Sequence, residues 1–334
     1  MLIDKHRVSV GSISINLAGP VVDHQSNPLG CAPATVGRQV QAKASASLWF
    51  YGFSESPGNV ASRPPVFGIL PRHPNPKKNL RESVESADNS SSAMSRDFEE
   101  LDYQKTPLGE LILRRRRMLS LGGIEIYEVK LGDEFLMSSL FHEVEEALAH
   151  LGLGELKGES WDVVVGGLGL GYTAAAALEH REVASLLIVD ALQPVIGWHQ
   201  RKLVPLGDKL TSDPRTRILH ADFFERARSA DGFDPEQPAR KFHAVLLDID
   251  HSPRTLLDPR NAAFYQPDGL NAFAKHLRSD GVFALWSDDP PDEEFLELLG
   301  AAFATARAHV VTFPNPLTES DSASTVYVAE KNGD

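Results

Sequence analysis

A single cysteine, Cys31, occurs in the 334 residues, which excludes an internal disulfide and any zinc site built on cysteine ligands. No apolar run approaches the roughly 18 residues that would span a bilayer. The N-terminus lacks the charged-then-apolar order of a secretory signal, so the cytoplasm is the default compartment and no membrane association is expected. The twelve histidines show no paired ligand spacing on one element, and no metal is expected. Positive charge is also scarce. A formal net charge of −13 argues against nucleic acid as a partner, because phosphate binding relies on clustered Lys and Arg. It suits a cationic substrate, and equally a solubilising acidic surface.

What is present is concentrated in WDVVVGGLGLGYTAAAALEH, Trp161 to His180. Val163, Val164 and Val165 suit a strand buried on both faces of a parallel sheet. Gly166, Gly167, Gly169 and Gly171 follow in a cluster, and Thr173 opens an alanine-rich helix. Such a turn lets backbone approach a ligand lying across the strand tip, beside the free N–H groups of the helix start. A second buried strand, Ala184 to Val189, ends in Asp190, 19 residues beyond Gly171. An acid at that distance can accept both hydroxyls of a ribose. No GKS or GKT follows the glycines, so a P-loop is excluded.

Residues 1–95 are rich in Pro, Ser, Gly and Asn and end in SVESADNSSSAMS. Mostly disorder is expected there, with Met94 a candidate natural start. Residues 96–137 read as a small antiparallel β-domain, with strand-like runs at Leu111–Leu113 and Ile124–Val129 around a Gly122–Gly123 turn. The basic tetrad Arg114–Arg117 reads as a solvated hairpin rather than an anion patch. From residue 138 to 330, helices alternate with strands. Ser138 to Leu151 carries Leu140, Val144, Leu148 and Leu151 on one stripe, and further strands are expected at Thr216–His220, Phe242–Leu247, Val282–Trp286, His309–Thr312 and Thr325–Val328. The fold class is therefore α/β: a mostly parallel Rossmann-like sheet covered on both faces, preceded by the small β-domain.

Ligands of such sheets bind at the carboxyl ends of strands, where the winding reverses. Gly169, Asp190, Asp222 and Asp248 fall at four successive strand ends and describe a nucleoside cleft. Asp190 would serve the ribose and Asp222 the base's amino group. Asp248 and Asp250 lie two apart, on one side of the strand if it persists that far. Paired carboxylates raise one another's proton affinity and can hold and deprotonate an ammonium group. One of the two could instead cap the following turn with Ser252 and Pro253.

Residues 100–330 resemble the spermidine synthase (polyamine aminopropyltransferase) family. The resemblance rests on DYQ at 102–104, GDEF at 132–135, FHE at 141–143, GGLGLG at 166–171, DALQPVI at 190–196, HADFF at 220–224, LLDIDHSP at 246–253 and AAFY at 262–265. It implies a class I methyltransferase fold and aminopropyl transfer from decarboxylated S-adenosylmethionine to a polyamine-type small-molecule amine. Gln104 and His142 would lie near the sulfonium nucleoside, Asp190 would hold its ribose and Asp222 its adenine. Asp248 would be the base, with Asp250 and Glu143 toward the far end of the amine. A homodimer through the N-terminal sheet is compatible with the family.

Four features depart from the family pattern. Gly169 stands where an aspartate usually grips the aminopropyl ammonium, His251 replaces the second aspartate of the DSSDP-like motif, Phe141 replaces a tyrosine, and the tyrosine expected in the amine pocket is not evident in TFPNPLTESDSAS near the C-terminus. Methyl transfer from S-adenosylmethionine is accordingly the alternative chemistry, and a nucleoside-binding relative without turnover is the third reading.

Overall fold

The computed structural model describes residues 8–14 and 97–333, all within the unit formed by Met1–Gly19 and Ala93–Asp334. Continuous β-branched and leucine runs produce the buried centre of an eight-stranded sheet, with order β1-β11-β12-β10-β9-β6-β7-β8. Its parallel strands are β6 (Trp161–Gly166), β7 (Val183–Asp190), β8 (Thr216–His220), β9 (Phe242–Leu247) and β10 (Leu277–Ser287). β11 (Thr305–Asn315) and β12 (Ser320–Glu330) form a hairpin whose second strand runs antiparallel to β10. The chain winds outward from β6 through β7 to β8 on one side, and from β9 to β10 on the other. The reversal therefore falls between β6 and β9, where a ligand crevice is expected.

Both sheet faces are covered. Helices α1 (Glu143–Gly154), α2 (Tyr172–Ala177), α3 (Gln193–Gln200) and α4 (Gly207–Ser212) bury Leu148, Ala174, Val195, Trp198 and Leu210 with Val163, Val165, Leu246 and Ala284. On the other face, α5 (Phe223–Arg228), α6 (Pro267–Phe273) and α7 (Glu293–Ala302) enclose a cluster that includes Phe223, Phe233, Phe264, Phe273 and Phe283. Its rings meet edge to face, as between Phe264 and Phe273 at 5.3 Å. Among the described residues, no helix is long and apolar enough to cross a membrane.

The second sheet is antiparallel and four-stranded: β2 (Phe98–Thr106), β3 (Gly109–Met118), β4 (Ile124–Leu131) and β5 (Glu134–Ser138). Leu111, Leu113, Val129 and Leu131 on one of its faces join the same core as Leu148 of α1. The arginine tetrad is largely satisfied internally. Arg114 and Arg116 converge on buried Glu128 at 2.6 and 2.9 Å, and Arg115 pairs with Glu99.

Several sequence expectations shift. α1 begins at Glu143 rather than Ser138, so Leu140 lies in the preceding turn and not on the helix stripe. α2 opens at Tyr172, one residue before Thr173, and follows Gly171 at φ +96°. Within the stretch expected to lack structure, Ser9–Ser14 forms strand β1, antiparallel to β11. Ser12 Oγ meets His309 Nδ1 at 2.8 Å. Residues 15–96, Met94 among them, lie outside the described residues.

Candidate functional site

The glycine turn leaves β6 at the reversal point, and its conformation depends on missing side chains. At Gly167, φ is +93° and a Cβ would sit 2.0 Å from the Asp248 carbonyl oxygen. The backbones of β6 and β9 are already in contact there, with Asp248 N–H donating to the Gly166 carbonyl at 2.8 Å. A Cβ on Gly166 would strike the Phe223 ring at 2.5 Å. Gly169, at φ +48°, faces the end of Met137 from β5, whose sulfur would be 3.0 Å from a Cβ at that position. The small sheet thus reaches the turn, and a thioether lies against the position where an aspartate was expected from the resemblance.

Asp190, at the tip of β7, accepts the Leu168 N–H at 2.8 Å and the Leu192 N–H at 2.7 Å, one on each oxygen. Burial raises its pKa against these hydrogen bonds. The carboxylate therefore fixes the turn through both of its oxygens. Asp222 follows β8 and caps α5, accepting the Glu225 N–H at 3.0 Å. Gln104 is exposed on β2 and donates to Asp102 at 3.2 Å. His142 is the residue before α1, and its ring stacks on Tyr172 at 4.3 Å and 8°. Phe141 packs against Phe313 with ring centroids 6.0 Å apart.

Asp248 is the first residue beyond β9, half-buried, and accepts the Thr173 hydroxyl on Oδ2 at 2.7 Å. Burial pushes its carboxyl up to about 6, with the Thr173 hydrogen bond working in the other direction. A second acid, Glu145, faces the same place. A Cβ at Gly152 would lie 2.8 Å from Leu246 and 2.9 Å from Ala284, so α1 lies directly on β9 and β10. Two turns earlier, about 10 Å along the axis, the same helix face carries Glu145 to the level of the strand ends. Burial first, and then the Asp248 charge, push Glu145 well above the usual carboxylate range.

The expected pairing of Asp248 with Asp250 is not what the chain forms. β9 ends at Leu247, so the two-residue alternation of a strand does not extend to Asp250. That side chain is 1% exposed and accepts from Leu257 N at 2.8 Å, Asn261 Nδ2 at 2.9 Å and the Tyr265 hydroxyl at 2.8 Å. It organises the loop after β9 from within. Its carboxyl is raised by burial and lowered by those three partners.

Sequence reasoning missed Glu145, Met137 and His199. His199 on α3 lies 2.9 Å from the Gly169 carbonyl through Nε2. The only sequence signal for Glu145 is its spacing of three, four and seven from Leu148, Ala149 and Gly152.

A Rossmann-like sheet with its glycine turn and acids at the reversal point, preceded by a small antiparallel sheet, is the fold of the spermidine synthases. The chain is similar to the crystal structure of spermidine synthase from Thermotoga maritima, at 20% identity and TM-score 0.54 over 70% of this chain and 74% of that one. It is likewise similar to a spermidine synthase solved in complex with the transition state analogue AdoDATO, at 18% identity and TM-score 0.53 over 70% and 73%. At these identities the likeness establishes the fold. No family model matches the chain, and no curated protein matches it.

Proposed function

We propose that the chain is an aminopropyltransferase-type enzyme that takes decarboxylated S-adenosylmethionine as donor and a polyamine-type amine as acceptor. The carrying observation is Asp248 at the tip of β9, where the sheet reverses its winding, held by the Thr173 hydroxyl at 2.7 Å and with its charge raising the Glu145 carboxyl on α1. The two acids would attract ammonium groups and repel a carboxylate, which favours a decarboxylated donor and a cationic acceptor over an amino-acid tail.

In this reading the bare turn at Gly166, Gly167, Gly169 and Gly171 admits the nucleoside, Asp190 takes the ribose hydroxyls and Asp222 the adenine edge. Gln104 and His142 close the donor from the small sheet and the start of α1. Asp248 accepts a proton from the acceptor's ammonium. The freed nitrogen lone pair forms a bond to the donor's methylene carbon, the C–S bond breaks, and its electron pair leaves with sulfur as neutral 5′-methylthioadenosine. A carboxyl near 6 is ionised at neutral pH and still basic enough to draw the proton.

Methyl transfer from S-adenosylmethionine is the second reading, favoured by Gly169 and the thioether of Met137 where an ammonium-binding acid would otherwise stand. Calorimetric titration with both donors separates the readings. Preference for the decarboxylated donor supports aminopropyl transfer, binding of intact S-adenosylmethionine alone contradicts it, and affinity for neither points to a relative without turnover.

A further inference from the structure

We infer that His199 is a positioning residue for the glycine turn, and that α3 links that turn to the small sheet through the consecutive residues Trp198 and His199. His199 is fully buried, and its Nε2 lies 2.9 Å from the Gly169 carbonyl. A carbonyl can only accept, so Nε2 must carry the hydrogen. Nδ1 is buried with no hydrogen-bond partner, so a second proton there would create an imidazolium with nothing to receive one of its N–H groups. Burial accordingly lowers the pKa of His199, against the Gly169 hydrogen bond that raises it. The ring is thus held neutral and in one tautomer.

The ring also sets the neighbouring turn residue. Its Cε1 would be 2.9 Å from a Cβ at Gly171, where φ is +96°, so ring and turn are fitted to one another. One position earlier on α3, the buried Trp198 donates its indole N–H to Asp102 of β2 at 2.6 Å. Arg201 just beyond the helix donates to the same carboxylate at 2.6 Å. Burial opposes the charge on Asp102, but hydrogen bonds from Trp198, Arg201 and Gln104 outweigh it and hold its carboxyl below the ordinary value. Asp102 therefore anchors α3 to the small sheet while His199 fixes the Gly169 peptide.

The inference rests on the proposed nucleoside site for its ligand and on geometry for the rest, so two readouts test it. Calorimetric titration of the full chain with 5′-methylthioadenosine compares the parent with His199→Gln, whose amide keeps a donor near Nε2, and His199→Leu, which removes it. At least tenfold weaker binding by the Leu variant, with the Gln variant within about threefold of the parent, supports the role. Equal binding by all three overturns it and leaves the nucleoside site standing. Nitrogen NMR of the His199 ring should show the neutral Nε2–H tautomer still present at pH 6. An Nδ1–H tautomer or an imidazolium at that pH overturns the inference. Should the parent bind no nucleoside, the proposed function falls, and the ring spectrum alone decides the role of His199.

Discussion

The Thr173 hydroxyl donates to Asp248 Oδ2 across 2.7 Å, joining the helix after the glycine turn to the strand end on the far side of the crevice. The bond favours the ionised carboxylate, which burial otherwise disfavours. Thr173→Val should raise the Asp248 pKa further and move the acidic limb of the pH–rate profile upward from about 6. An unchanged limb would separate Asp248 from the rate.

Asp248 should also show catalysis and stability in opposition. Its carboxyl has an ordinary value of 3.8 and is raised to about 6 in the fold, so the folded state binds the proton more tightly. The resulting stability is fully present below 3.8 and lost as pH rises through 6. Asp248→Asn does not suffer that loss. We predict that it abolishes transfer and is more stable than the parent above pH 6 by about 2 kcal/mol, after allowance for partial exposure. The gain should shrink toward pH 4. Thermal unfolding across that range is the check.

Asp250 should behave differently, because its work is inside the loop. Asp250→Ala leaves the Leu257 N–H, the Asn261 amide and the Tyr265 hydroxyl without their acceptor, at a cost of about 3 kcal/mol. The loss should appear in denaturant unfolding, while the pH limb of any residual activity stays near that of the parent. A displaced limb with unchanged stability would restore Asp250 to the reaction.

Two glycines of one turn should respond unequally. A methyl at Gly167 meets backbone at 2.0 Å, whereas a methyl at Gly169 meets only the flexible end of Met137 at 3.0 Å. Gly169→Ala should cost about 1 kcal/mol for its left-handed backbone. Gly167→Ala should cost more than about 3 kcal/mol or prevent folding. Equal melting temperatures would contradict the close approach of β6 and β9.

The architecture was legible in the sequence because strands buried on both faces are continuous apolar runs, as in Val163–Val165 and Val245–Leu247. Their ends are marked by a change to glycine or aspartate. Asp190, Asp222 and Asp248 could thus be placed along one edge. Features set by tertiary contact were less visible. In EVEE at 143–146 nothing but spacing distinguishes the acid that turns inward. Met137 meets Gly169, and His199 the Gly169 carbonyl, only after the two sheets and α3 are assembled. The alternation that would set Asp250 beside Asp248 does not form, because the strand stops at Leu247, three residues short of Asp250. β1 escaped notice because SVGSIS is short and polar, and its partner β11 lies almost the whole chain away.

The most direct measurement incubates the full chain with decarboxylated S-adenosylmethionine and a panel of diamines and polyamines, and follows products by mass spectrometry. The expected result is 5′-methylthioadenosine formed in equal amount with an aminopropylated amine, both lost in Asp248→Asn. Turnover of intact S-adenosylmethionine to S-adenosylhomocysteine, with no product from the decarboxylated donor, would contradict it.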